Sequence, residues 1–429
     1  MNKRSARLAL VVGGGPAPGI NGVISSVTIE AVQQGFDVIG YQDGFLNLIT
    51  GECDAEGTHR FLDIDMVKGL HLRGGSFLGT SRTNPAKDEA HMANVLRLLA
   101  KHNVGYLVTI GGDDTAFSGS QVYARAGGKI RVAHVPKTID NDLPLDESMP
   151  TFGFETARQV GVGIVKNLAE DARTTSRWYI IVSMGRAAGH LALGIGKSAA
   201  ATLTIIPEEL EGRKIKLDEL ADIVIGSILK RRASKRVFGV AILAEGLIET
   251  IEKEQLEQAV GTGKYGTITR DPHGHLRLGE IDFGRLVRDW IQQRIEEFKF
   301  DITMIEKEIG YELRCADPVP FDAEYTRDLG YGAVKFLLSE NSAKFGALIS
   351  IVGGKLKPLP FQDVLDPKTK RMTTRTVNIK SEGYECARRY MIRLEKEDFL
   401  DDEKLVALAR VAGRTPAEFR SRFGYLVGL

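Results

Sequence analysis

Short apolar runs alternate with amphipathic stretches along most of this chain of 429 residues. Eight apolar runs predict β-strands, at 8–12, 36–41, 105–110, 130–136, 178–184, 203–207, 237–246 and 347–354. Apolar residues at helical spacing predict helices between them, at 88–101, 157–171, 217–231 and 322–338. Strands that are apolar almost throughout and alternate with helices are typical of parallel sheets covered on both faces. The pattern therefore predicts an α/β fold.

The strands that end in glycine fall into two sets, before and after about residue 150, and this division predicts two lobes. Ligands in folds of this kind bind at the carboxyl ends of the strands. The residues that follow each strand are therefore the first candidates for a functional site. Lysine and arginine are frequent at 368–375, and we expect this tail to be a solvated surface.

Composition limits the partners and the compartment. The chain is 43% hydrophobic and 26% charged with a formal net charge of +1, which is ordinary for a globular protein of two domains. This charge gives no electrostatic reason to expect nucleic acid or an anionic membrane, and no apolar stretch is long enough for a membrane span. The three cysteines, Cys53, Cys315 and Cys386, are far apart in the sequence and odd in number. They indicate neither a disulfide framework nor a metal site built from cysteines, and a reducing cytoplasm fits.

The first strand leads into a glycine-rich turn, GGGPAPG at 13–19. Glycine lets the backbone approach an anion, and a helix N-terminus behind such a turn carries partial positive charge. A tight turn without a ligand remains an equal alternative for this stretch alone. A dinucleotide fingerprint requires glycine where Pro18 stands, so a nicotinamide-dependent oxidoreductase is disfavoured.

Two carboxylates, Asp113 and Asp114, follow a double glycine after the strand at 105–110. One aspartate at such a point is often the N-cap of the next helix. A carboxylate there is also suited to holding Mg²⁺ against phosphate oxygens, because hard cations prefer oxygen ligands. Either explanation accounts for one aspartate and leaves the other without a role.

The strand at 130–136 runs into PKTIDND, which places Lys137, Thr138, Asp140 and Asp142 at its carboxyl end. Phosphoryl transfer to an alcohol needs a base for the alcohol proton and a cation for the phosphate, and this heptapeptide contains both. The same residues are typical of a polar turn, so a turn without a catalytic role stays an open alternative.

Arginines follow several other strands or glycine-rich turns. Arg186 lies in MGRAAG at 184–189, Arg314 follows Tyr311, and Arg82 ends GGSFLGTSR. Guanidinium groups at strand ends of an almost neutral protein are suited to clamping phosphate. Each arginine taken singly is better explained by a surface salt bridge.

Five motifs occur in one order along the chain: GGSFLGTSR, GGDD, PKTIDND, MGRAAG and AEG. In this combination the chain resembles the phosphofructokinase family, from GGGPAPG to the segment 314–322, about three quarters of its length. The resemblance implies two Rossmann-like lobes with mainly parallel sheets. It implies a phosphoryl-donor lobe at 1–151, completed by about 313–380, and a sugar-phosphate lobe at 152–312, completed by about 381–429.

The resemblance also implies roles around the phosphoryl donor. The backbone at Gly14 meets the donor phosphates, and Asp113 is the ligand for Mg²⁺. Thr138 and Asp140 lie beside the C1 hydroxyl of the sugar, with Asp140 as the catalytic base. Asp142 supports this pair electrostatically.

For the acceptor, the resemblance implies a site for fructose 6-phosphate. Its residues are Met184, Gly185, Arg186, Glu245, Tyr311 and Arg314. Within this set Glu245 hydrogen-bonds the sugar and Arg314 binds the 6-phosphate, while Tyr311 stands where many relatives carry histidine. Arg177 reaches the sugar phosphate of a neighbouring subunit, which implies a homodimer or homotetramer. Arg82 is a weaker candidate for phosphate binding.

Position 114 bears on the identity of the donor. Relatives that use ATP generally have glycine there, whereas GGDD together with PKTIDND is typical of the pyrophosphate-dependent branch. A carboxylate about 4 Å from the α-phosphate of ATP would repel it by roughly 4 kcal/mol in an intermediate dielectric, enough for about thousandfold discrimination. Lys137 would hold the transferring phosphate and offset Asp114.

The implied activity is therefore reversible phosphoryl transfer from pyrophosphate to O1 of fructose 6-phosphate, which gives fructose 1,6-bisphosphate and phosphate. An ATP-dependent phosphofructokinase is the alternative within the family. A catalytically silent regulatory paralogue is the alternative outside the enzymes. Against the silent paralogue stands the intact set of Asp113, Lys137, Asp140 and Arg186.

Overall fold

The structure, a computed structural model, describes residues 5–52, 56–261, 263–266, 280–366, 368–369 and 371–429. Cys53 and Pro367, where the tail begins, lie outside the described residues. The chain divides into two compact units, each made of two segments of chain. Unit 1 contains Met1–Gln159 and Tyr311–Arg375, and unit 2 contains Val160–Gly310 and Thr376–Leu429.

Strands and helices alternate through the first two thirds of the chain, and helices dominate the last third. The strands are β1 Arg7–Val12, β2 Val38–Tyr41, β3 His59–Leu62, β4 Val104–Gly111, β5 Arg131–Pro136, β6 Trp178–Ser183, β7 Leu203–Ile205, β8 Gly239–Ala244, β9 Met304–Ile309, β10 Ala347–Leu348, β11 Ile351–Val352, β12 Lys355–Leu356 and β13 Leu359–Pro360. The helices are α1 Ile20–Gln33, α2 Leu46–Ile49, α3 Ile64–Val67, α4 Glu89–Lys101, α5 Asp113–Arg125, α6 Phe154–Thr175, α7 His190–Ser198, α8 Leu217–Ala233, α9 Lys253–Val260, α10 Phe283–Ile295, α11 Pro320–Leu338, α12 Asn341–Lys344, α13 Phe361–Val364, α14 Glu382–Tyr390, α15 Lys396–Leu400, α16 Asp402–Val411 and α17 Pro416–Phe423.

Unit 1 is built on a seven-stranded sheet in the order β13-β10-β5-β4-β1-β2-β3. The neighbours from β10 to β2 pair parallel, while β13 and β3 close the two edges antiparallel. Gly111 at the end of β4 lies opposite Pro136 at the end of β5. The motifs GGDD and PKTIDND therefore leave the sheet side by side at its carboxyl edge.

Strand β1 shows why the sequence pattern specifies this sheet. Leu8, Leu10 and Val12 belong to one core cluster, whereas Ala9 and Val11 belong to another. This division follows because successive side chains of a strand point to opposite faces. Each of the five is completely buried, and a strand covered on both faces must be apolar throughout.

Unit 2 is built on a four-stranded sheet in the order β7-β8-β6-β9, with every neighbouring pair parallel. Ser183 at the end of β6 lies opposite Ala244 of β8 and Ile309 of β9. MGRAAG and AEG therefore begin at the same carboxyl edge. The predicted α/β fold with mainly parallel sheets is confirmed in both units.

The C-terminal helices complete the core of unit 2. Phe399, Phe419 and Phe423 are completely buried in the same cluster as Trp178 of β6. These aromatic side chains fix α15 to α17 against the second sheet through the hydrophobic effect.

Two expectations about local structure are wrong. The run at 347–354 is divided, because β10 joins the sheet while β11 pairs with β12 in a separate hairpin. Gly353 and Gly354, with φ of 56° and 72°, form the turn of this hairpin.

The prediction that the segment 368–375 is a solvated surface is also wrong in part. Met372 is buried and Arg375 is half-buried, although Thr373 is exposed.

Candidate active site

The turn after β1 lies against the segment that carries Arg82. Gly14 has a φ of 84°, in the left-handed region that glycine adopts without strain. Its amide donates to the carbonyl of Ser81 over 2.8 Å, and its carbonyl accepts from Oγ1 of Thr80 over 2.7 Å. These bonds join the GGGPAPG turn to the end of GGSFLGTSR, where Arg82 is exposed.

Asp113 and Asp114 are the first two residues of α5. Gly112 occupies the N-cap position without a side-chain cap, so the capping alternative is wrong for both aspartates. Oδ1 of Asp113 accepts from the amide of Met372 over 3.4 Å, a long contact. The partial positive charge of a helix N-terminus stabilises anions, so this turn suits both carboxylates and a phosphate.

Asn84 holds the second aspartate, and the sequence alone did not identify it. Its side-chain amide donates to Oδ1 of Asp114 over 3.2 Å. Its own Oδ1 accepts from Oγ of Ser118 over 3.1 Å and from the amide of Ala86 over 2.9 Å. The Asn-Pro pair at 84–85 is a recognisable start of a helical turn, but nothing in that pattern points to position 114.

Lys137 connects the end of β5 to the glycine turn. Its amide donates to the carbonyl of Gly111 over 2.8 Å, which continues the β4–β5 pairing. The side chain is buried, and its ammonium donates to the carbonyl of Gly15. A Cβ atom at Gly14 would lie only 3.4 Å from Nζ of Lys137. The lysine of PKTIDND and the turn after β1 therefore meet within unit 1.

Thr138 and Asp140 form a tight buried turn. The amide of Asp140 donates to Oγ1 of Thr138 over 3.0 Å, and the carbonyl of Thr138 accepts from Oγ1 of Thr151 over 2.8 Å. Asp142 is buried as well, and within the described residues its Oδ1 has no hydrogen-bond partner. The turn predicted from the Asp-Asn-Asp sequence is present, and it places two buried acidic side chains, Asp140 and Asp142, close together in the chain.

His134 lies in β5 below this edge of the sheet. Nδ1 of His134 is 2.9 Å from Oγ1 of Thr109 on β4. Complete burial lowers the pKa of His134 to about 3, against a smaller opposing effect of its bond to the backbone of Gly111. The imidazole is therefore neutral at physiological pH and adds no charge to the neighbouring motifs.

Arg314 lies beside the glycine turn of unit 1. Its guanidinium carbon is 4.7 Å from the centre of the Tyr311 ring, a cation–π contact. A Cβ atom at Gly15 would lie 3.5 Å from Nη1 of Arg314. Tyr311 itself is 76% exposed, so its hydroxyl is open to solvent or ligand.

Unit 2 brings Glu245 together with the MGRAAG loop. The amides of Gly185 and Arg186 both donate to Oε2 of Glu245 over 3.2 Å. Arg186 has a φ of 51°, an uncommon conformation for a residue with a side chain. Met184 directly follows β6, so three residues of the loop and Glu245 form one local group.

Gly246 allows this approach. A Cβ atom there would lie 2.4 Å from the carbonyl oxygen of Arg186 and 3.0 Å from Cα of Ala187. A side chain at position 246 would therefore push the end of β8 away from the loop. The close approach of the loop therefore explains on steric grounds why the AEG motif has glycine at position 246.

Arg177 lies apart from these residues of unit 2. It precedes β6, whereas Met184 follows the same strand, so the two are separated by roughly 20 Å at about 3.3 Å per residue. Nη1 of Arg177 is 3.8 Å from Oδ2 of Asp171, which also accepts from the hydroxyl of Tyr179 over 2.6 Å. The structure does not bring Arg177 to the MGRAAG loop of its own chain.

Glu208 is a second residue that sequence reasoning missed. Its Oε1 accepts from the amide of Gly189, at the end of MGRAAG, and from the amide of Val377, each over 2.9 Å. It directly follows the apolar run at 203–207, and this position at a strand end was the available indication. Glu208 fixes the point where the loop enters α7.

The acidic residues that the structure describes do not form a metal site of three or more side chains. Across the described ranges, no group of three or more His, Cys, Asp or Glu side chains is placed to hold a metal ion. Mg²⁺ in enzymes of phosphoryl transfer is commonly held by one or two carboxylates together with substrate phosphates. Asp113 at the N-terminus of α5 fits a magnesium site of this type, in which one carboxylate and substrate phosphates hold the ion.

Comparison with known proteins settles the family. The family model described as phosphofructokinase matches residues 7–337. The chain belongs to the phosphofructokinase family. The resemblance carried by the five motifs is thereby confirmed.

Two relatives in this family match almost the whole chain. A pyrophosphate–fructose 6-phosphate 1-phosphotransferase of Thermotoga maritima is 51% identical over 423 residues, which cover 99% of each chain. The protein of the same name from Naegleria fowleri is 49% identical over 432 residues, covering 99% of this chain and 97% of the relative.

Solved structures support the phosphofructokinase fold. Phosphofructokinase from Saccharomyces cerevisiae superimposes with a TM-score of 0.65 at 17% identity, over 98% of this chain and 50% of that chain. A pyrophosphate-dependent phosphofructokinase from Nitrosospira multiformis gives a TM-score of 0.62 at 16% identity, over 95% and 92%. Across the described segments, no helix combines the length and apolar character needed to cross a membrane.

Proposed function

We propose that this protein is a pyrophosphate–fructose 6-phosphate 1-phosphotransferase. It transfers a phosphoryl group from pyrophosphate to O1 of fructose 6-phosphate, in both directions. The observation that carries the proposal is that the motifs with Asp114 and Lys137 follow the adjacent strands β4 and β5, in a chain half identical to relatives with that name. The match to both relatives extends through both units, so it includes the donor motifs and the sugar motifs alike.

Unit 1 carries the proposed donor site. The backbone of Gly14 and the ammonium of Lys137 bind the phosphates, and the N-terminus of α5 adds favourable partial charge. Asp114 excludes the longer nucleotide chain by repelling its α-phosphate. Arg82, exposed beside the glycine turn, is the weaker member of this set.

Asp113 would hold a Mg²⁺ ion together with oxygens of pyrophosphate. When bound, the ion offsets negative charge on the phosphates, as it does in other phosphoryl-transfer enzymes. The single carboxylate fits this role because the phosphates and waters supply the remaining oxygen ligands.

Asp140 is the proposed base. It takes the proton from the O1 hydroxyl as the new O1–P bond forms, and the P–O bond to the bridging oxygen breaks, releasing phosphate. Thr138 fixes the backbone of Asp140 through the 3.0 Å bond to its amide and binds the sugar beside O1. Asp142 contributes negative potential beside Asp140. This potential favours retention of the transferred proton by these two carboxyl groups.

The sugar phosphate is assigned residue by residue. Oε2 of Glu245 is used by the loop amides of Gly185 and Arg186, so its Oε1 accepts from a sugar hydroxyl. The side chain of Arg186 faces charge on the substrate, and Met184 lines the ring. Tyr311 and Arg314 receive the 6-phosphate, for which a guanidinium is well suited.

We further propose a homodimer or homotetramer in the cytoplasm. Arg177 lies at the opposite end of β6 from Met184, so its assigned contact with a sugar phosphate requires a second subunit. The exposed free thiols of Cys315 and Cys386 fit a reducing compartment.

A donor comparison with the purified protein tests the function. Formation of fructose 1,6-bisphosphate is followed with pyrophosphate and with ATP, each with fructose 6-phosphate and Mg²⁺. We expect kcat/KM for pyrophosphate to exceed that for ATP by at least about a hundredfold. Preference for ATP would identify the ATP-dependent alternative, and no turnover with either donor would identify a silent paralogue. The Asp140→Asn variant, purified identically, controls for contaminating host enzyme.

A further inference from the structure

Arg375 encloses the segment that follows the catalytic turn. Its Nε donates to the carbonyl of Asn141 over 3.1 Å. Its Nη1 donates to the carbonyls of Asp146 and Met149, each also over 3.1 Å. The guanidinium thus spans a loop of nine residues, 141–149, from one end to the other.

Two more bonds reach the acidic motif itself. Nη2 of Arg375 donates to Oδ1 of Asn141, and the amide of Arg375 donates to the carbonyl of Asp142 over 2.8 Å. Asn141 stands between the two acids of the TIDND turn. Arg375 therefore holds the backbone directly after Asp140 and directly at Asp142.

The side chain and the backbone conformation of Asn141 are both held by neighbouring segments. Its φ is 57°, in the left-handed region, which residues with a side chain seldom adopt. Its Oδ1 accepts a second bond from the amide of Thr151 over 2.9 Å. The side-chain oxygen is thus fixed from two sides, and Arg375 is one of them.

The partial burial of Arg375 and the carboxylates around it are consistent with a guanidinium held in one position. Removal from water lowers the pKa of Arg375, and the carboxylates of Asp142, Glu147 and Asp146 oppose that effect. The planar fork of arginine presents several donors in fixed directions, which a flexible ammonium does not. A lysine at this position would keep the charge but lose most of the carbonyl bonds.

We propose that Arg375 is a positioning residue that sets the catalytic geometry of Asp140 by holding the 141–149 loop. The inference rests on the proposed function, because it assigns the consequence of this contact to the phosphoryl-transfer step. The bonds of Arg375 described above go to the 141–149 loop. Arg375 acts through the backbone on either side of Asn141.

The primary test compares Arg375→Ala with Arg371→Ala. Arg371 is an exposed arginine in the same segment and serves as the matched control. We expect Arg375→Ala to lower kcat by roughly ten- to a hundredfold, because small misplacements of catalytic groups have effects of that size. KM for pyrophosphate should stay within about threefold, since the donor residues are untouched. Arg371→Ala should match the wild type in both constants.

Two further variants separate positioning from general stability. Arg375→Lys should recover little of the lost kcat, because it keeps the charge without the fork. Free guanidinium, well below denaturing concentration, should restore part of the kcat of Arg375→Ala and leave Arg371→Ala unchanged. Asn141→Gly keeps the left-handed backbone but removes the side-chain acceptor, and should lower kcat several-fold. If Arg375→Ala does not fold, Arg375→Lys and Asn141→Gly carry the test.

The outcomes are distinguishable from those of the proposed function. An inactive wild type would count against the proposed function. An active wild type with a folded Arg375→Ala of unchanged kcat would overturn the positioning role alone. The positioning role is overturned equally if Arg375→Ala lowers the melting temperature but leaves kcat intact, or if Arg375→Lys is fully active.

Discussion

The side-chain amide of Asn84 donates to Oδ1 of Asp114 over 3.2 Å. Asn84 is itself fixed by Ser118, whose hydroxyl donates to it over 3.1 Å. A neutral amide holds the carboxylate in place without cancelling its charge, and no cation pairs with Asp114 in the described part of the chain. Asp114 therefore presents a fixed negative charge at the first turn of α5, the property that a donor-selecting residue requires.

Replacing Asp114 by glycine should change the donor preference. The variant loses the charge that repels the α-phosphate of ATP, a repulsion of roughly 4 kcal/mol at most in an intermediate dielectric. We expect kcat/KM for ATP to rise at least about tenfold and that for pyrophosphate to fall. Steady-state kinetics with both donors measures the ratio.

The Asp114→Asn variant is the control for size. It removes the charge while keeping the shape, and its carbonyl still accepts from Asn84. If repulsion is the cause, Asp114→Asn should move the donor ratio in the same direction as Asp114→Gly. An unchanged ratio in both variants would exclude Asp114 as the selector.

The base assignment makes a separate prediction for Asp140. Asp140→Asn keeps the shape of the buried turn and its bond to Thr138, but it removes the proton acceptor. We expect kcat to fall by about 10²–10⁴, the usual contribution of a general base, with KM for fructose 6-phosphate within a few-fold. Turnover near that of the wild type would remove Asp140 from this role.

Much of the fold follows from the sequence because its central strands are buried on both faces. β1 and β4 are apolar almost throughout, and the motifs at their ends had to meet at one edge of a parallel sheet. β9 was missed because Glu306, Lys307 and Glu308 interrupt its apolar character, as is common at a sheet edge.

The site could be predicted from the sequence only where a motif directly follows a predicted strand. GGDD and PKTIDND follow β4 and β5, so their proximity follows from strand pairing. Arg375 is 234 residues from Asn141, and no periodicity or motif relates the two positions. Contacts of this kind depend on how distant segments pack, which local patterns do not specify.

The close approach at Gly246 predicts a steric effect on the sugar loop. In Gly246→Ala the new Cβ would lie 2.4 Å from the carbonyl oxygen of Arg186, so the loop must shift. We expect a loss of roughly 1–3 kcal/mol in the free energy of unfolding and a raised KM for fructose 6-phosphate. Urea denaturation and kinetics measure the two effects.

Gly163→Ala provides the matched control for Gly246→Ala. Gly163 lies in α6, and a Cβ atom there would meet nothing within 4 Å. This variant should be neutral or more stable by about 0.5–1 kcal/mol, because alanine favours helix over glycine. If both variants behave alike, the contact with Arg186 does not constrain the loop.

The buried His134 predicts a pH dependence of stability. Its pKa is lowered from 6.5 to about 3 in the folded protein. Between those values the unfolded chain binds a proton that the folded protein cannot, so the free energy of unfolding falls as the pH falls, by about 1.4 kcal/mol per pH unit from this group. Urea titrations between about pH 7 and 5 should show this slope reduced in His134→Gln.

His91 on α4 supplies the control for that experiment. His91→Gln is the matched replacement, because His91 lies on a helix and is not buried in the sheet. Only the slope is compared, since glutamine in place of His134 also changes packing against Thr109. A slope in His134→Gln equal to that of the wild type would mean that another group causes the acid sensitivity.

Arg177 predicts that the active enzyme needs two subunits. The length of β6 separates Arg177 from Met184 by roughly 20 Å, so it cannot serve the MGRAAG loop of its own chain without unfolding the strand. If it serves a neighbour, Arg177→Ala should be nearly inactive. Asp171→Asn should stay active, because it removes the charge that lies 3.8 Å from Arg177 but keeps an oxygen that can accept from the hydroxyl of Tyr179.

Mixing two inactive variants tests this directly. In a hybrid dimer of Arg177→Ala and Asp140→Asn subunits, one site receives both lesions and the other receives neither. Random reassembly should therefore restore roughly a quarter of the wild-type activity, since half of the dimers are hybrids and half of their sites are intact. Subunits with different affinity tags show whether hybrids have formed. Hybrids without recovered activity, or a monomeric active enzyme in sedimentation, would assign Arg177 a role within its own chain, where its partner is Asp171.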